Sequence, residues 1–384
     1  MLSPFLLLQA QQHKPLHLER FPTAQINRSL QAWDAADEYL INYVRDNDLV
    51  NEETKILIIN DSFGALAINF PDNEVYQLND SFVSQQGTLN NYQLNSLDAT
   101  HLSQLTSLDE LPDGIDIILF KIPKSKHYMT DLLARVKEKY SDKVTFIAAD
   151  KAKQIQKNTL AIFEQYLGTT TTSLAVKKAR LVFCQLNNKH VNKPKNNVLS
   201  WQVSSPNLTI SNLSNVFARE KLDIGGRFFM EHLPSVTQKQ SVIDLGCGNG
   251  VVGLTILAQN ANNQVTFVDE SFMAVKSAQM NVAENFPDAV SQCQFIADDC
   301  LTSRESQTAD IVLCNPPFHQ QNAVTDHIAW QMFKDSFRVL RPKGELRIVG
   351  NRQLGYHVKL QRLFGNCKTV ASNSKFVILS AIKK

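Results

Sequence analysis

The residues with the clearest chemical potential are Asn315, Pro316, Pro317 and Phe318. They follow the apolar run 310–314, which is typical of a buried parallel strand, and prolines cannot continue its hydrogen-bond ladder. Ligands of open α/β sheets bind at that carboxyl edge. Asn315 offers an amide oxygen, Pro316 a carbonyl on a stiff backbone, and Phe318 a flat apolar face. Together they suit a planar ring that carries an NH2 group, although a Pro-Pro pair alone could simply end a strand.

A glycine-rich turn upstream has the features of a nucleoside-binding loop. Asp244 ends an apolar run, and Gly246, Gly248 and Gly250 follow before the helix-like segment 251–257. Glycines let the backbone approach a ligand, and the first turn of a helix supplies free N–H groups. The spacing is G-x-G-x-G rather than the dinucleotide G-x-G-x-x-G, and an acid at Asp244 would oppose a pyrophosphate but can hold a cationic amino-acid group. The pattern favours S-adenosylmethionine over NAD.

Acids also stand at the ends of the next two predicted strands. Asp269 ends the run 265–269 and could accept hydrogen bonds from both ribose hydroxyls. Asp298, or alternatively Asp299, follows the third run and could accept from an adenine amino group. A single acid at a strand end is commonly a helix cap. Acids at three successive strand ends are better explained by a nucleoside site.

Strand-like and helical segments alternate along the chain, and they would position these residues. In the first half the predicted helices cover about 30–50 and 155–167, and the predicted strands are 56–59, 116–120, 144–147 and 180–184. This alternation predicts an α/β fold with a mostly parallel sheet.

The two halves of the chain repeat this layout. The matching runs are 116–123 with 310–317 and 56–64 with 242–250. In the first copy Ile58 stands in place of Asp244, and Lys121 in place of Asn315. We therefore predict two tandem Rossmann-like domains from an internal duplication, in which the N-terminal copy is degenerate and keeps the fold without catalysis.

Length and charge fit this organisation. A chain of 384 residues is expected to form two domains, and we predict boundaries at 1–186 and 200–384 with a basic linker at 187–199. The net charge is only +2, yet the segment 334–384 carries twelve basic residues and two acids. Such segregation indicates a phosphate-binding surface, with an ordinary solvated face as the alternative. The candidate RNA contacts in the N-terminal half are Lys121, Lys124, Lys177, Lys178 and Arg180.

Composition argues against several other classes. The six cysteines show no C-x-x-C spacing, so we expect neither a metal site nor a disulfide framework, which fits the reducing cytoplasm. The apolar run 5–8 is too short for a membrane span and lacks the flanks of a signal peptide, so we expect no membrane partner.

The segment 200–384 resembles the Rossmann-like class I methyltransferases, in the subgroup that carries Asn-Pro-Pro-Phe/Tyr and methylates exocyclic or amide nitrogens. Residues 216–227 are similar to the segment that folds over the cofactor in ribosomal RNA guanine-N2 methyltransferases. That similarity implies cofactor contacts for Phe217, Asp223, Gly225 and Arg227. Residues 31–39 and 60–66 are similar to the large-subunit (RlmG-type) branch. The resemblance implies methylation, with S-adenosylmethionine, of the N2 amine of one guanine in 23S ribosomal RNA, naked or in an assembly intermediate.

Several alternatives stay open at the level of sequence. Asn-Pro-Pro-Phe presents the same two acceptors to any NH2 group, so a small-subunit guanine, adenine N6 or glutamine N5 could be the target. His319 lies beside the motif and is interpreted as a supporting residue rather than a base. A chain that kept only the fold could be an RNA-binding ribosome assembly factor. The N-terminal half could instead only stabilise its partner domain or a dimer.

Overall fold

The computed structural model of the protein describes residues 2–9, 12–22, 30–187, 197–317 and 323–384. The chain divides into two compact units, Met1–Asn197 and Val198–Lys384. Each unit begins with a two-stranded hairpin and continues into a seven-stranded sheet covered by helices.

The N-terminal unit alternates strands and helices as the sequence predicts. Its strands are β1 (Leu2–Gln9), β2 (Gln12–His17), β3 (Ile56–Ile59), β4 (Val75–Asn79), β5 (Leu102–Thr106), β6 (Ile117–Lys121), β7 (Thr145–Lys151), β8 (Thr170–Thr172) and β9 (Ala179–Cys184). Its helices are α1 (Ala35–Asp46), α2 (Phe82–Leu94), α3 (Lys126–Lys139) and α4 (Lys157–Tyr166).

The C-terminal unit repeats this series. Its strands are β10 (Leu199–Ser204), β11 (Asn207–Asn212), β12 (Ser241–Leu245), β13 (Gln264–Asp269), β14 (Gln294–Ala297), β15 (Ala309–Cys314), β16 (Leu340–Asn351), β17 (Lys368–Ser372) and β18 (Phe376–Ile382). Its helices are α5 (Ile224–Met230), α6 (Val251–Gln259), α7 (Phe272–Asn285), α8 (Ala323–Val339) and α9 (Tyr356–Phe364).

The two large sheets have the same topology. The strand order is β5-β4-β3-β6-β7-β9-β8 in the first and β14-β13-β12-β15-β16-β18-β17 in the second. In both, the first five strands of the series are parallel and the strand that pairs with the fifth is antiparallel to it. This correspondence confirms the predicted tandem α/β fold and its origin in a duplication.

Alternating side chains of the central strands build a core on both faces of the second sheet. Val242 on β12 packs with α5, α6 and α7, whereas Ile243 and Leu245 pack with α8 and α9. Since the side-chain period of a strand is two, Asp244 shares the face of Val242 and points toward α6. The sheet therefore places the side chain of Asp244 beneath the loop that follows β12.

Two asparagines on α7 attach the hairpin formed by β10 and β11 to the second sheet. Asn281 accepts from the N–H of Ser211 at 2.7 Å and donates to its carbonyl at 2.9 Å, and Asn285 makes the same pair of bonds with Thr209 at 2.9 and 2.8 Å. Asn281 also donates to the carbonyl of Asn249 in the glycine-rich loop at 2.9 Å. One buried amide thus links the hairpin, the helix and the loop.

The N-terminal unit contains the same clamp. Asn91 on α2 pairs with the backbone of Glu19, and Asn95, directly after α2, pairs with that of His17; each accepts from the N–H and donates to the carbonyl. The glycine-rich and Asn-Pro-Pro motifs give no indication of these residues. Asparagines four positions apart in corresponding helices of both halves were the available signal, because i and i+4 side chains share one helix face.

Element boundaries differ from the predictions where local capping decides them. The helix predicted over 30–50 covers Ala35–Asp46, because Asp34 and Asp37 form a capping box and Asn47 ends the helix. The strand Ile56–Ile59 is confirmed as predicted. Within the residues that the structure describes, no helix is long and apolar enough to cross a bilayer.

We expect Asn281→Ala to lower the free energy of unfolding by about 2–3 kcal/mol, because it leaves buried N–H and carbonyl groups without partners. Chemical denaturation of the full chain measures the loss. Gln279→Ala, at an exposed position of the same helix, is the control and should stay within about 0.5 kcal/mol of the wild type. Equal losses in the two variants would contradict the clamp.

Candidate active site

The glycine-rich loop joins β12 to α6 at the carboxyl edge of the second sheet. All three glycines have positive φ, 73° at Gly246, 53° at Gly248 and 80° at Gly250, which residues with side chains rarely adopt. The N–H of Gly246 donates to the carbonyl of Val268 at 2.8 Å. An added Cβ would meet nothing within 4 Å at Gly248, but at Gly250 it would lie 2.9 Å from the Cβ of Ala278. Gly248 therefore leaves room for a ligand, and Gly250 lets α6 and α7 pack closely.

The spacing of the glycines gives no reason to single out Asn249, yet its side chain orders the loop. Its Nδ2 donates to Oδ1 of Asn212 at 2.9 Å, and its own Oδ1 accepts from the N–H of Val251 at 3.2 Å. Asn249 is buried. It therefore ties the loop to the hairpin and to the first N–H of α6.

Asp244 lies beneath the loop and is 3% exposed. Its Oδ2 accepts a hydrogen bond from the N–H of Gly253 at 2.8 Å. Burial raises the pKa of the Asp244 carboxyl from 3.8 to about 7, and the neighbouring charge of Asp269 acts in the same direction. A carboxyl whose pKa lies near neutral pH would ionise when a cation binds beside it. This environment therefore fits the predicted role of Asp244, which is to hold a cationic amino-acid group.

Asp269, at the end of β13, holds the loop from the neighbouring strand. Its Oδ2 accepts from the N–H of Gly248 at 2.9 Å, and its Oδ1 accepts from the N–H of Ser271 at 3.0 Å. Carboxylate oxygens can accept more than one hydrogen bond each. The position is thus compatible with the predicted contact to ribose hydroxyls.

Asn315 follows β15 at the same edge, beside the loop. A Cβ added at Gly246 would lie 3.6 Å from the carbonyl oxygen of Asn315. The side-chain Oδ1 of Asn315 is buried and has no hydrogen-bond partner among the described residues. Pro316 is buried and Pro317 partly buried, whereas Phe318 and His319 lie outside the described residues. A buried acceptor without a partner is unfavourable until a donor reaches it, so this edge suits an incoming N–H group.

Asp223 caps α5, which packs beside this edge on β16 and β18. Its Oδ2 accepts from the N–H of Gly226 at 3.1 Å. At Gly225 an added Cβ would lie 3.1 Å from the Phe376 ring, so glycine allows the helix to approach β18 closely. The first turn of α5 is therefore held against the sheet with a carboxylate at its start.

The segment before α5 presents an exposed surface. Phe217 is 63% exposed, Ile224 is 68% exposed, and Arg227 is exposed. The indole N–H of Trp201 donates to the carbonyl of Arg219 at 3.1 Å and ties the segment to β10. Phe217 and Arg227 therefore lie on the surface, and their contact with the cofactor stays a prediction.

Asp298 and Asp299, after β14, have different environments. Oδ1 of Asp298 accepts from the N–H of Asp299 at 2.8 Å, and its Oδ2 accepts from the N–H and hydroxyl of Ser303 at 2.9 and 2.7 Å. Oδ2 of Asp299 accepts from the amide of Gln331 at 3.0 Å, and burial raises the pKa of Asp299. Asp298 thus shapes the turn, which makes Asp299 the better candidate for a contact with adenine.

In the N-terminal unit, the protein's own side chains fill the equivalent edge. Lys121, which corresponds to Asn315, places its Nζ 2.8 Å from Oδ1 of Asp34 and 2.6 Å from Oδ1 of Asp37. Burial lowers the pKa of Lys121, but the two carboxylates outweigh it and raise the pKa above its ordinary value. Asn60 of the loop after β3 donates to the carbonyl of Lys121 at 3.0 Å. The degenerate copy therefore satisfies internally the groups that could hold a ligand amine.

This arrangement bears on the basic residues predicted to contact RNA. The Lys121 side chain is only 13% exposed and would have to leave two carboxylates to reach a phosphate. Lys124 and Lys178 are exposed, Lys177 is exposed with its Nζ 2.5 Å from Glu38, and Arg180 is partly buried. Lys124 and Lys178 are the best placed for a phosphate contact.

Comparison with known proteins identifies the family. The family model described as "RLMG N-terminal domain" matches residues 8–188, and that described as "Methyltransferase small domain" matches residues 207–380. A protein of Colwellia psychrerythraea named ribosomal RNA large subunit methyltransferase G is 56% identical over 396 residues, covering 100% of both chains. The chain belongs to the ribosomal RNA large subunit methyltransferase G family. Relatives of that name in Pseudoalteromonas translucida and Vibrio vulnificus are 49% and 48% identical and cover 96% of this chain.

A solved structure shares the fold over both units. It is a T. thermophilus 16S rRNA N2 methyltransferase (RsmC) in complex with AdoMet and guanosine, with a TM-score of 0.75 and 18% identity. The match covers 100% of this chain and 98% of that chain. At this identity the likeness establishes the tandem fold. Membership of the large subunit methyltransferase G family confirms the predicted recognition and the predicted methyltransferase activity with S-adenosylmethionine as methyl donor.

We expect the stability of the wild type relative to Asp244→Asn to depend on pH. The pKa of the Asp244 carboxyl is higher in the folded protein than its ordinary value of 3.8. Protonation of this carboxyl therefore stabilises the fold fully below about pH 3.8, and this stabilisation is lost as the pH rises to about 7. Asp244→Asn should therefore gain about 2 kcal/mol on the wild type between about pH 5 and pH 8. The free energies of unfolding of both proteins, measured without cofactor across this pH range, test the prediction. A difference between them that does not change with pH would contradict the raised pKa of Asp244.

We expect Lys121→Met to lower the free energy of unfolding by about 3 kcal/mol, because Asp34 and Asp37 would lose their cation. Adding Asp37→Asn to the same chain should recover part of the loss. Binding of the folded variant to ribosomal RNA should be unchanged in a filter-binding assay. Weaker RNA binding at unchanged stability would instead make Lys121 a phosphate contact.

Proposed function

We propose that the protein transfers a methyl group from S-adenosylmethionine to the exocyclic N2 amine of one specific guanine in 23S ribosomal RNA, in the cytoplasm. The relatives at 48–56% identity are named for the large ribosomal subunit. The solved neighbour is named for an N2 methyl transfer in another ribosomal RNA. The choice of guanine N2 rests on both names and on the local chemistry of the Asn-Pro-Pro edge.

The proposal rests chiefly on the buried Oδ1 of Asn315, which has no hydrogen-bond partner among the described residues. The N2 amine of guanine has two N–H donors. In the proposed complex one donates to Oδ1 of Asn315 and the other to the carbonyl of Pro316, which lies on a backbone restricted by two successive prolines. Two acceptors on one strand end can hold an NH2 group in a defined orientation.

Holding the amine in this way assists the chemistry. The lone pair of the guanine amine is delocalised into the ring, which makes the group a poor nucleophile. Hydrogen bonds from both N–H groups favour a pyramidal nitrogen and turn its lone pair toward the incoming carbon. When bound, S-adenosylmethionine supplies a methyl group on a positively charged sulfur.

The transfer needs no dedicated base. The nitrogen lone pair forms the new N–C bond while the C–S bond breaks and its electrons return to sulfur, which leaves a neutral thioether. The methylated amine is then cationic and strongly acidic, so it loses one proton to water. Asn315 and Pro316 act throughout as acceptors that orient the amine.

The proposed cofactor site uses the loop and its neighbours. Gly248 leaves open space for the approach of a ligand, Asp244 would face the amino-acid group, and Asp269 would accept from the ribose hydroxyls. Asp299 would accept from the adenine amine. Phe318 would stack on the extruded base, a contact worth about 1–3 kcal/mol.

Ribosomal RNA would bind through basic surfaces on each unit. Arg352, directly after β16, is exposed at the carboxyl edge that carries Asn315. Further exposed basic residues of the C-terminal unit are Arg362, Lys368 and Lys375. Phosphate contacts of this kind recognise the shape of a folded RNA. We assign catalysis to residues 200–384 and substrate recognition to residues 1–186, joined by the linker 187–199, and the RNA would be naked or in an assembly intermediate.

Asn315→Ala is expected to reduce methyl transfer about 100-fold or more, since one of the two acceptors that orient the amine is lost. Affinity for ribosomal RNA should be kept. Transfer of labelled methyl groups to naked 23S RNA, followed by mass spectrometry of its nucleosides, measures both the rate and the product. Exposed Asn262→Ala, far along the chain from the motif, is the control.

The product identity decides between the candidate functions. N2-methylguanosine from 23S RNA would support the proposal. N6-methyladenosine, or label in release factors rather than in RNA, would show that another amine is the substrate. Full cellular function of the Asn315→Ala variant would favour a non-enzymatic assembly factor.

A further inference from the structure

The ion-paired edge of the N-terminal unit serves as an internal template for the catalytic edge. α1 packs against β7 and β9, and α5 packs against the corresponding strands β16 and β18. Each helix begins at an aspartate N-cap whose side chain accepts from a backbone N–H of the first turn, Asp34 before α1 and Asp223 before α5. The two aspartates therefore occupy equivalent positions beside the carboxyl edges of their sheets.

In the N-terminal unit an N–H donor lies between the strand end and this N-cap. The Nζ of Lys121 is 2.8 Å from Oδ1 of Asp34. A lysine side chain is two bonds longer than that of asparagine, which is roughly the length of a hydrogen bond. The ammonium of Lys121 thus marks the place that a donor bound to Oδ1 of Asn315 would occupy in the C-terminal unit. Such a donor would lie within reach of the Asp223 carboxylate.

The described part of the C-terminal unit has the corresponding acceptors but no side-chain donor between them. Asn315 replaces Lys121, and Gly226 replaces Asp37 at the third position of the helix. Within the described part of the chain, the Asp223 carboxylate has a hydrogen bond to Gly226 alone, and Oδ1 of Asn315 has none. Two acceptors are therefore available where the degenerate unit holds an ammonium.

We propose that Asp223 accepts a hydrogen bond from N1–H of the target guanine and thereby selects guanine over adenine. Guanine carries N1–H directly beside its N2 amine, so the donor next to the amine held by Asn315 faces the carboxylate. Adenine carries a lone pair on N1 beside its amine, and a carboxylate repels that lone pair. Asn315 and Pro316 would accept either amine, so the distinction comes from Asp223. This inference rests on the proposed function and replaces the cofactor contact that the resemblance implies for Asp223.

The test combines variants with a substrate analogue. Full-length wild type, Asp223→Ser and Asp34→Ser are assayed at saturating S-adenosylmethionine on a short 23S RNA fragment with guanine or 2-aminopurine at the methylated position. 2-Aminopurine keeps the amine but lacks N1–H. Serine retains the N-cap hydrogen bond in both variants, and Asp34→Ser is the matched control in the degenerate unit.

The wild type and Asp34→Ser should prefer guanine by about tenfold or more in kcat/KM, the size expected for a hydrogen bond to a charged group. Asp223→Ser should lose most of this preference while its Kd for S-adenosylmethionine stays within about twofold of the wild type. An Asp223→Ser variant that keeps the preference, or a wild type that has none, overturns the role of Asp223 alone. A wild type that transfers no methyl group to guanine overturns the proposed function and this inference together.

Discussion

The catalytic unit depends on the buried Oδ1 of Asn315, which accepts no hydrogen bond from the described residues. Leaving such an acceptor unpaired costs free energy, so the sheet must supply enough packing to hold Asn315 in place without ligand. β15 does so because it is buried on both faces and ends at Cys314, directly before Asn315. The glycine-rich loop lies beside the same strand end, so acceptor and cofactor loop share one edge.

The N-terminal unit shows the same fold with a donor from within the chain at the corresponding strand end. In the N-terminal unit the same strand order and the same asparagine clamp persist, yet Lys121 supplies a donor from within the chain. Buried ion pairs depend on keeping both partners, because a single buried charge is costly. The degenerate copy thus has an internal contact where the catalytic unit would bind a ligand, and the strand order of the two sheets is the same.

Much of the fold follows from local pattern, while the site depends on contacts between distant segments. The strand Ile56–Ile59 and the tandem arrangement are predictable because apolar runs and their repeats are visible in the sequence. Sequence alone places Lys121 on an RNA surface, because its partners Asp34 and Asp37 are remote along the chain. The role of Asn281 is hard to predict for the same reason, because its partner on the hairpin is remote along the chain. Motif spacing indicates which residues can do chemistry, and packing determines which of them are already satisfied.

The proposed reaction depends on two oxygens that bind one amine. The most direct measurement is a crystal structure of the protein with S-adenosylhomocysteine and an RNA fragment that contains the target guanine. We expect the N2 nitrogen within about 2.7–3.2 Å of both Oδ1 of Asn315 and the carbonyl oxygen of Pro316. A guanine amine bound elsewhere, with Oδ1 of Asn315 turned to a protein donor, would contradict the account.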